Sequence, residues 1–86
     1  MIPHCIMIFS SIHDVTAAER ALNKKDIWCD MVPTPRDLSS NCGMALEVLH
    51  EDLLMIEEAF ADTPIVLKEI HIEEGFGYRR LDKGDH

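Results

Sequence analysis

The sequence predicts an α+β fold, a ferredoxin-like split βαβ sandwich of four antiparallel strands with two helices on one face. Four short stretches alternate apolar residues with a period of two, and two stretches between them carry apolar residues at helical spacing. Their order is strand, helix, strand, strand, helix, strand, which is two right-handed crossover units sharing one sheet. The chain has 86 residues, 47% of them hydrophobic, enough for one small core. A domain of this size buries only roughly 60% of its unfolded surface, so a homodimer would add stability.

Residues 4–9 set Cys5, Met7 and Phe9 against His4, Ile6 and Ile8. Both sets are almost wholly apolar, which places this strand at the centre of the sheet. Ser10, Ser11 and Asp14 then mark a helix start, and Val15, Ala18 and Leu22 give the helix one buried stripe. Lys24 and Lys25 close it at the negative end of the dipole. Residues 27–32 alternate Ile27, Cys29 and Met31 with Trp28, Asp30 and Val32, a second strand. A third begins at Met44, directly after Gly43. The second helix is expected over 51–61, with Leu53, Ile56 and Phe60 inward and Pro64 barring its continuation. Residues 65–73 form a fourth strand, read as an edge with one wet face. The domain is expected to occupy 1–74, leaving 75–86 as a loose tail.

The second and third strands should form a hairpin, yet their connection runs from 33 to 43. Hairpin loops usually have two to five residues, and longer ones are functional or disordered. Pro33 and Pro35 stiffen the loop, while Thr34 as N-cap, Pro35 at the first helical position and Asp37 suggest one helical turn. Beyond them Ser39, Ser40 and Asn41 precede Cys42 and Gly43. Such residues tolerate turns and leave backbone N–H groups free around an accessible thiol.

Sixteen acidic against eight basic residues give a formal charge of -8, which argues against nucleic acid or an anionic membrane as partner. No apolar run approaches the ~20 residues of a membrane span, and the start of the chain lacks the basic region of a signal peptide. A cytoplasmic location is expected. Three cysteines, an odd number without close pairing, suggest free thiols in a reducing compartment. No metal site or cofactor is expected: no C-x-x-C occurs, and the adjacent His4 and Cys5 point to opposite faces of a strand.

The segments Phe9-Ser10-Ser11-Ile12-His13-Asp14, Ala18-Glu19 and Pro33-Thr34-Pro35-Arg36-Asp37-Leu38-Ser39-Ser40-Asn41-Cys42-Gly43-Met44-Ala45-Leu46 resemble the family of selenium/sulfur carrier protein-like domains. The resemblance implies a small bacterial cytoplasmic protein whose loop cysteine, Cys42, carries sulfur or selenium as a persulfide or selenosulfide. It would be a carrier with a sulfurtransferase-like transfer step more than an enzyme. A donor such as a cysteine desulfurase would load it, and an acceptor enzyme would unload it.

The residues support such chemistry on their own terms. A chalcogen carrier needs an accessible thiol that ionises readily. Arg36, the only arginine or lysine between Lys25 and Lys68, could favour the anion, and Ser39, Ser40 and the N–H groups near Gly43 could bind the terminal atom. His13 is a candidate proton shuttle. Each has a plainer rival. Cys5 and Cys29 read as core residues, Arg36 could pair with Asp37 or Asp30, the serines could cap a turn, and His13 with Asp14 could simply begin a helix. Two other functions are open: a regulatory or protein-interaction module without covalent chemistry, and a redox sensor in which Cys5 or Cys29 resolves oxidised Cys42.

Overall fold

The structure, a computed structural model, describes residues 2–38 and 42–81. In chain order it contains β1 (His4–Phe9), α1 (Ile12–Lys24), β2 (Cys29–Pro33), β3 (Met44–Leu49), a 3₁₀ turn (His50–Asp52), α2 (Leu53–Phe60), β4 (Leu67–Glu74) and β5 (Gly77–Leu81). The strands form one antiparallel sheet in the order β2-β3-β1-β4-β5.

The fold is α+β with two helices, as the periodicity predicts, but the sheet has five strands and not four. Residues 77–81, expected in a loose tail, pair with β4 from Glu74↔Gly77 to Ile70↔Leu81. Gly75 at φ 50° turns the chain back, so the glycines that suggested a tail make a tight hairpin. β4 is therefore an inner strand, not the expected edge, and His71 on its supposedly wet face is only 8% exposed.

The local signals at α1 work as read. The Asp14 N–H donates to Ser11 Oγ at 3.3 Å, and the Ser11 hydroxyl donates to the Asp14 carboxylate at 3.3 Å. At the other end Ile27 N–H reaches Leu22 O at 3.0 Å and Asp26 N–H reaches Asn23 O at 3.2 Å, the paired bonds of a Schellman cap. Asp26 holds the left-handed position at φ 57°, where glycine is the usual residue.

Sequence alternation divides the core between the two faces of the sheet. Cys5, Met7 and Phe9 of β1 with Leu46 and Val48 of β3 meet Val15, Ala18 and Leu22 of α1 and Leu53, Ile56 and Ala59 of α2, so both helices cover one face. Phe9 and Phe60 meet edge to face at 6.2 Å between ring centroids. Removing so buried an aromatic ring typically costs about 3–5 kcal/mol. The other face, which no described helix covers, has a smaller cluster of Ile6, Ile8 and Ala45, covered by Val32, Leu38 and Tyr78.

Candidate functional site

The long loop is tied to the sheet at its base. Pro33 lies opposite Met44, and the Thr34 N–H donates to Gly43 O at 3.0 Å, which prolongs the hairpin by one step. Of the expected helical turn, the described residues show the bond from Leu38 N–H to Pro35 O at 3.0 Å. Thr34 does not cap it: its hydroxyl is buried and has no partner among the described residues. The chain then crosses the helix-free face, where Leu38 sits on the Ile6, Ile8 and Ala45 cluster.

Cys42 leaves on the other side. It is half-buried against the helix-side core, and its S–H donates to Met44 O at 3.2 Å. Gly43, at φ 73°, makes the turn between the loop and β3. A side chain there would meet nothing within 4 Å, so backbone conformation and not space requires glycine. The pairing Met7↔Leu46 runs β1 antiparallel to β3 and so brings the end of β1 to the edge where Cys42 enters β3. Ser11, the N-cap of α1, follows two residues after β1 ends, so the positive end of that helix dipole lies at the same edge. His13 is exposed in the first turn of α1.

Arg36 is placed elsewhere. It is exposed and lines an open depression on the helix-free side with Asp37, Glu73, Phe76 and Tyr78. It forms no ion pair among the described residues, so neither Asp37 nor Asp30 holds it there. The structure thus gathers Cys42, Gly43 and the start of α1 at one sheet edge, with Arg36 set apart from them. Ser39 and Ser40 lie outside the described residues.

The other two thiols are suppressed. Burial pushes Cys5 up to about 11, and burial followed by the charges of Glu19 and Asp30 raises Cys29. Cys5 and Cys29 both lie opposite Val48, on either side of β3, so their Cα atoms are about two strand spacings, roughly 10 Å, apart. Cys42 lies beyond Met44, itself four residues and about 13 Å along β3 from Val48. A disulfide needs Cα atoms within ~7 Å, so the redox-sensor reading loses its resolving cysteine. Among the described residues no three His, Cys, Asp or Glu side chains are placed to hold a metal ion.

Sequence reasoning missed a second constellation. Burial raises the phenol of Tyr78, and the carboxylates of Glu73, Asp37 and Glu47 push it the same way. The signal was the short run Tyr78 to Leu81 after Gly77, legible only once β5 is a strand.

A family model described as "Putative Se/S carrier protein-like" matches residues 4–72, from β1 to β4 and across the whole loop. The chain belongs to this family. Neither a curated protein nor a solved structure matches it. The family match includes Cys42 and ends before β5. No described helix is long and apolar enough to cross a membrane.

Proposed function

We propose that the chain carries sulfur or selenium on Cys42. Membership of the carrier-like family supports this, and the observation that carries it is the contrast among three thiols. Cys5 is sealed in the core and Cys29 is raised by burial and by the charges of Glu19 and Asp30, while Cys42 sits beside a glycine turn at the end of the sheet where β1 runs into α1.

On this reading the Cys42 thiol gives its proton to solvent or to a base of the donor, and releases the Met44 carbonyl. The thiolate attacks the outer sulfur of a donor cysteine persulfide. An S–S bond forms at Cys42 as the donor S–S bond breaks, the donor leaves as a thiolate, and Cys42 holds the transferred sulfur as a persulfide. An acceptor thiolate reverses these bond changes. The N–H groups at Gly43, with Ser39 and Ser40, are the proposed ligands of the terminal anion, and His13 is the proposed proton shuttle. Arg36 acts on this reading through its field on approaching partners. The donor is of the cysteine desulfurase kind, the acceptor is a sulfur- or selenium-using enzyme, and the setting is bacterial and cytoplasmic. The β2-β3-β1-β4 portion is read as a ferredoxin-like sandwich to which β5 adds an edge.

Intact-mass measurement of reduced protein after exposure to a persulfide donor tests the proposal. Wild type should gain one sulfur atom and Cys42→Ala none, with Cys5→Ser and Cys29→Ser loading normally. Equal loading of wild type and Cys42→Ala, or none in either, overturns it.

A further inference from the structure

The helix-free face of the sheet carries charge that the chemistry at Cys42 does not use. Two neighbouring depressions on it share Glu73 and Gly75: one continues to Arg36, Asp37, Phe76 and Tyr78, the other to Ile2, His4 and Glu47. Asp37 from the loop, Glu47 from β3 and Glu73 from β4, the last paired opposite Tyr78, line these depressions, and their charges act on the Tyr78 phenol. The cations of β5 are engaged: Arg79 donates to Glu74 at 2.9 and 3.1 Å, and Arg80 lies 3.8 Å from Glu69. Among the described residues Asp37 and Glu73 form no ion pair, and Arg36 is the only arginine or lysine lining either depression.

Apolar groups stand around this negative centre. Ile2 is 54% exposed, Trp28 45%, and Phe76 at the hairpin tip fully so. Trp28 leans on His4 with ring centroids 5.5 Å apart, and His4 in turn bonds Glu47 at 2.6 Å. Exposed aromatic rings beside carboxylates suit a long cationic side chain, whose apolar stem lies on the rings while its head meets the acids.

We propose that this face docks a basic, partly apolar segment of a partner protein, with lysine or arginine heads beside Asp37 and Glu73 and apolar neighbours on Phe76 and Trp28. Charge selects the occupant. A second copy would set the same carboxylates face to face, and nucleic acid or an anionic membrane would be repelled. Pro35 to Leu38 form one wall of this face, so a seated partner touches the loop that leads to Cys42. Naming that partner as donor or acceptor rests on the carrier reading; the docking itself does not.

The test uses the full chain carrying Cys42→Ala, isotope-labelled for amide NMR, titrated with a short peptide alternating lysine and leucine and with its glutamate counterpart. The lysine peptide should give saturable shifts at His4, Trp28, residues 36–38 and residues 73–78. Two partly exposed ion pairs together account for about a tenfold change in affinity, which Asp37→Asn with Glu73→Gln should remove. Phe76→Ala, at a fully exposed position, should weaken binding without touching the fold, and Glu58→Gln on α2 should leave it unchanged. Shifts centred on α2 or spread evenly over the acidic surface, undiminished affinity in the double variant, or equal binding of the glutamate peptide overturns the proposal. Because Cys42 is absent, such a failure leaves the mass-gain assay untouched, and a failed mass gain leaves this titration standing.

Discussion

Substituting Gly43 separates backbone conformation from space at the residue next to Cys42. At φ 73° an L side chain is strained, yet a Cβ there meets nothing within 4 Å, so the whole cost is conformational. The left-handed region costs an ordinary L residue roughly 1–2 kcal/mol, and alanine recovers about 0.4–1 kcal/mol by restricting the unfolded chain. Gly43→Ala should therefore destabilise by ~1 kcal/mol, lowering Tm by roughly 4–8 °C in a domain of this size. Gly43→Asn should cost less, because asparagine tolerates this region, and Gly43→Val more, because β-branching does not. Thermal and urea unfolding read the stability series. Alkylation of Cys42 reads its local effect, since a chain driven out of positive φ at 43 re-aims the neighbouring thiol. A clearly stabilising Gly43→Ala would refute the left-handed turn. A loss above about 3 kcal/mol would exceed what φ alone can supply and refute the open space.

Three further predictions rest on other elements. Asp26 occupies the left-handed position of the α1 cap at φ 57°, so Asp26→Gly should stabilise the protein by roughly 0.5–1 kcal/mol, read by urea unfolding. Cys5 is raised to about 11 from an ordinary 9.0, so between these pH values the unfolded chain has lost a proton that the native chain keeps. Stability should fall as pH rises through that window, Cys5→Ala should flatten the fall, and iodoacetamide at neutral pH should label Cys42 well before Cys5. The hydrogen bond from His71 holds Glu69 below the usual carboxylate range, with the charges of Arg80, His71 and Lys68 adding to it. Its stabilisation is present above the ordinary value of ~4.3 and is lost as pH falls through the depressed native value. Glu69→Gln should shallow the acid limb of a pH-stability curve.

The sequence made legible what local chemistry decides. Ser11 and Asp14 were readable as a helix start, and period-two alternation grouped Cys5 with Met7 and Phe9, and Cys29 with Ile27 and Met31, on faces that the structure turns toward the helices. The glycine at 43 was readable as a turn for the same reason. What stayed hidden depends on residues distant in the chain. Glycines at 75 and 77 have one appearance in a tail and in a hairpin, and only the free edge of β4 selects the hairpin. His71 alternates like a solvent-facing residue, yet its place opposite Ile6 on one side and Arg80 on the other buries it. Arg36 and Cys42 are six positions apart, and sequence distance alone gave no sign that the loop sends them to opposite faces.

The anchoring of that loop limits how the protein could deliver a chalcogen. Cys42 lies two residues from Met44, whose strand is paired on both sides further along, and four residues from Leu38, seated on the opposite face. An extended chain spans at most about 3.6 Å per residue, so the Cys42 backbone stays within ~7 Å of Met44 while β3 remains paired. A swinging arm has a far longer leash. On the carrier reading the Cys42 sulfur is a fixed mooring at the rim of a paired sheet, and exchange would require the other protein to bring its own reacting atom to that rim.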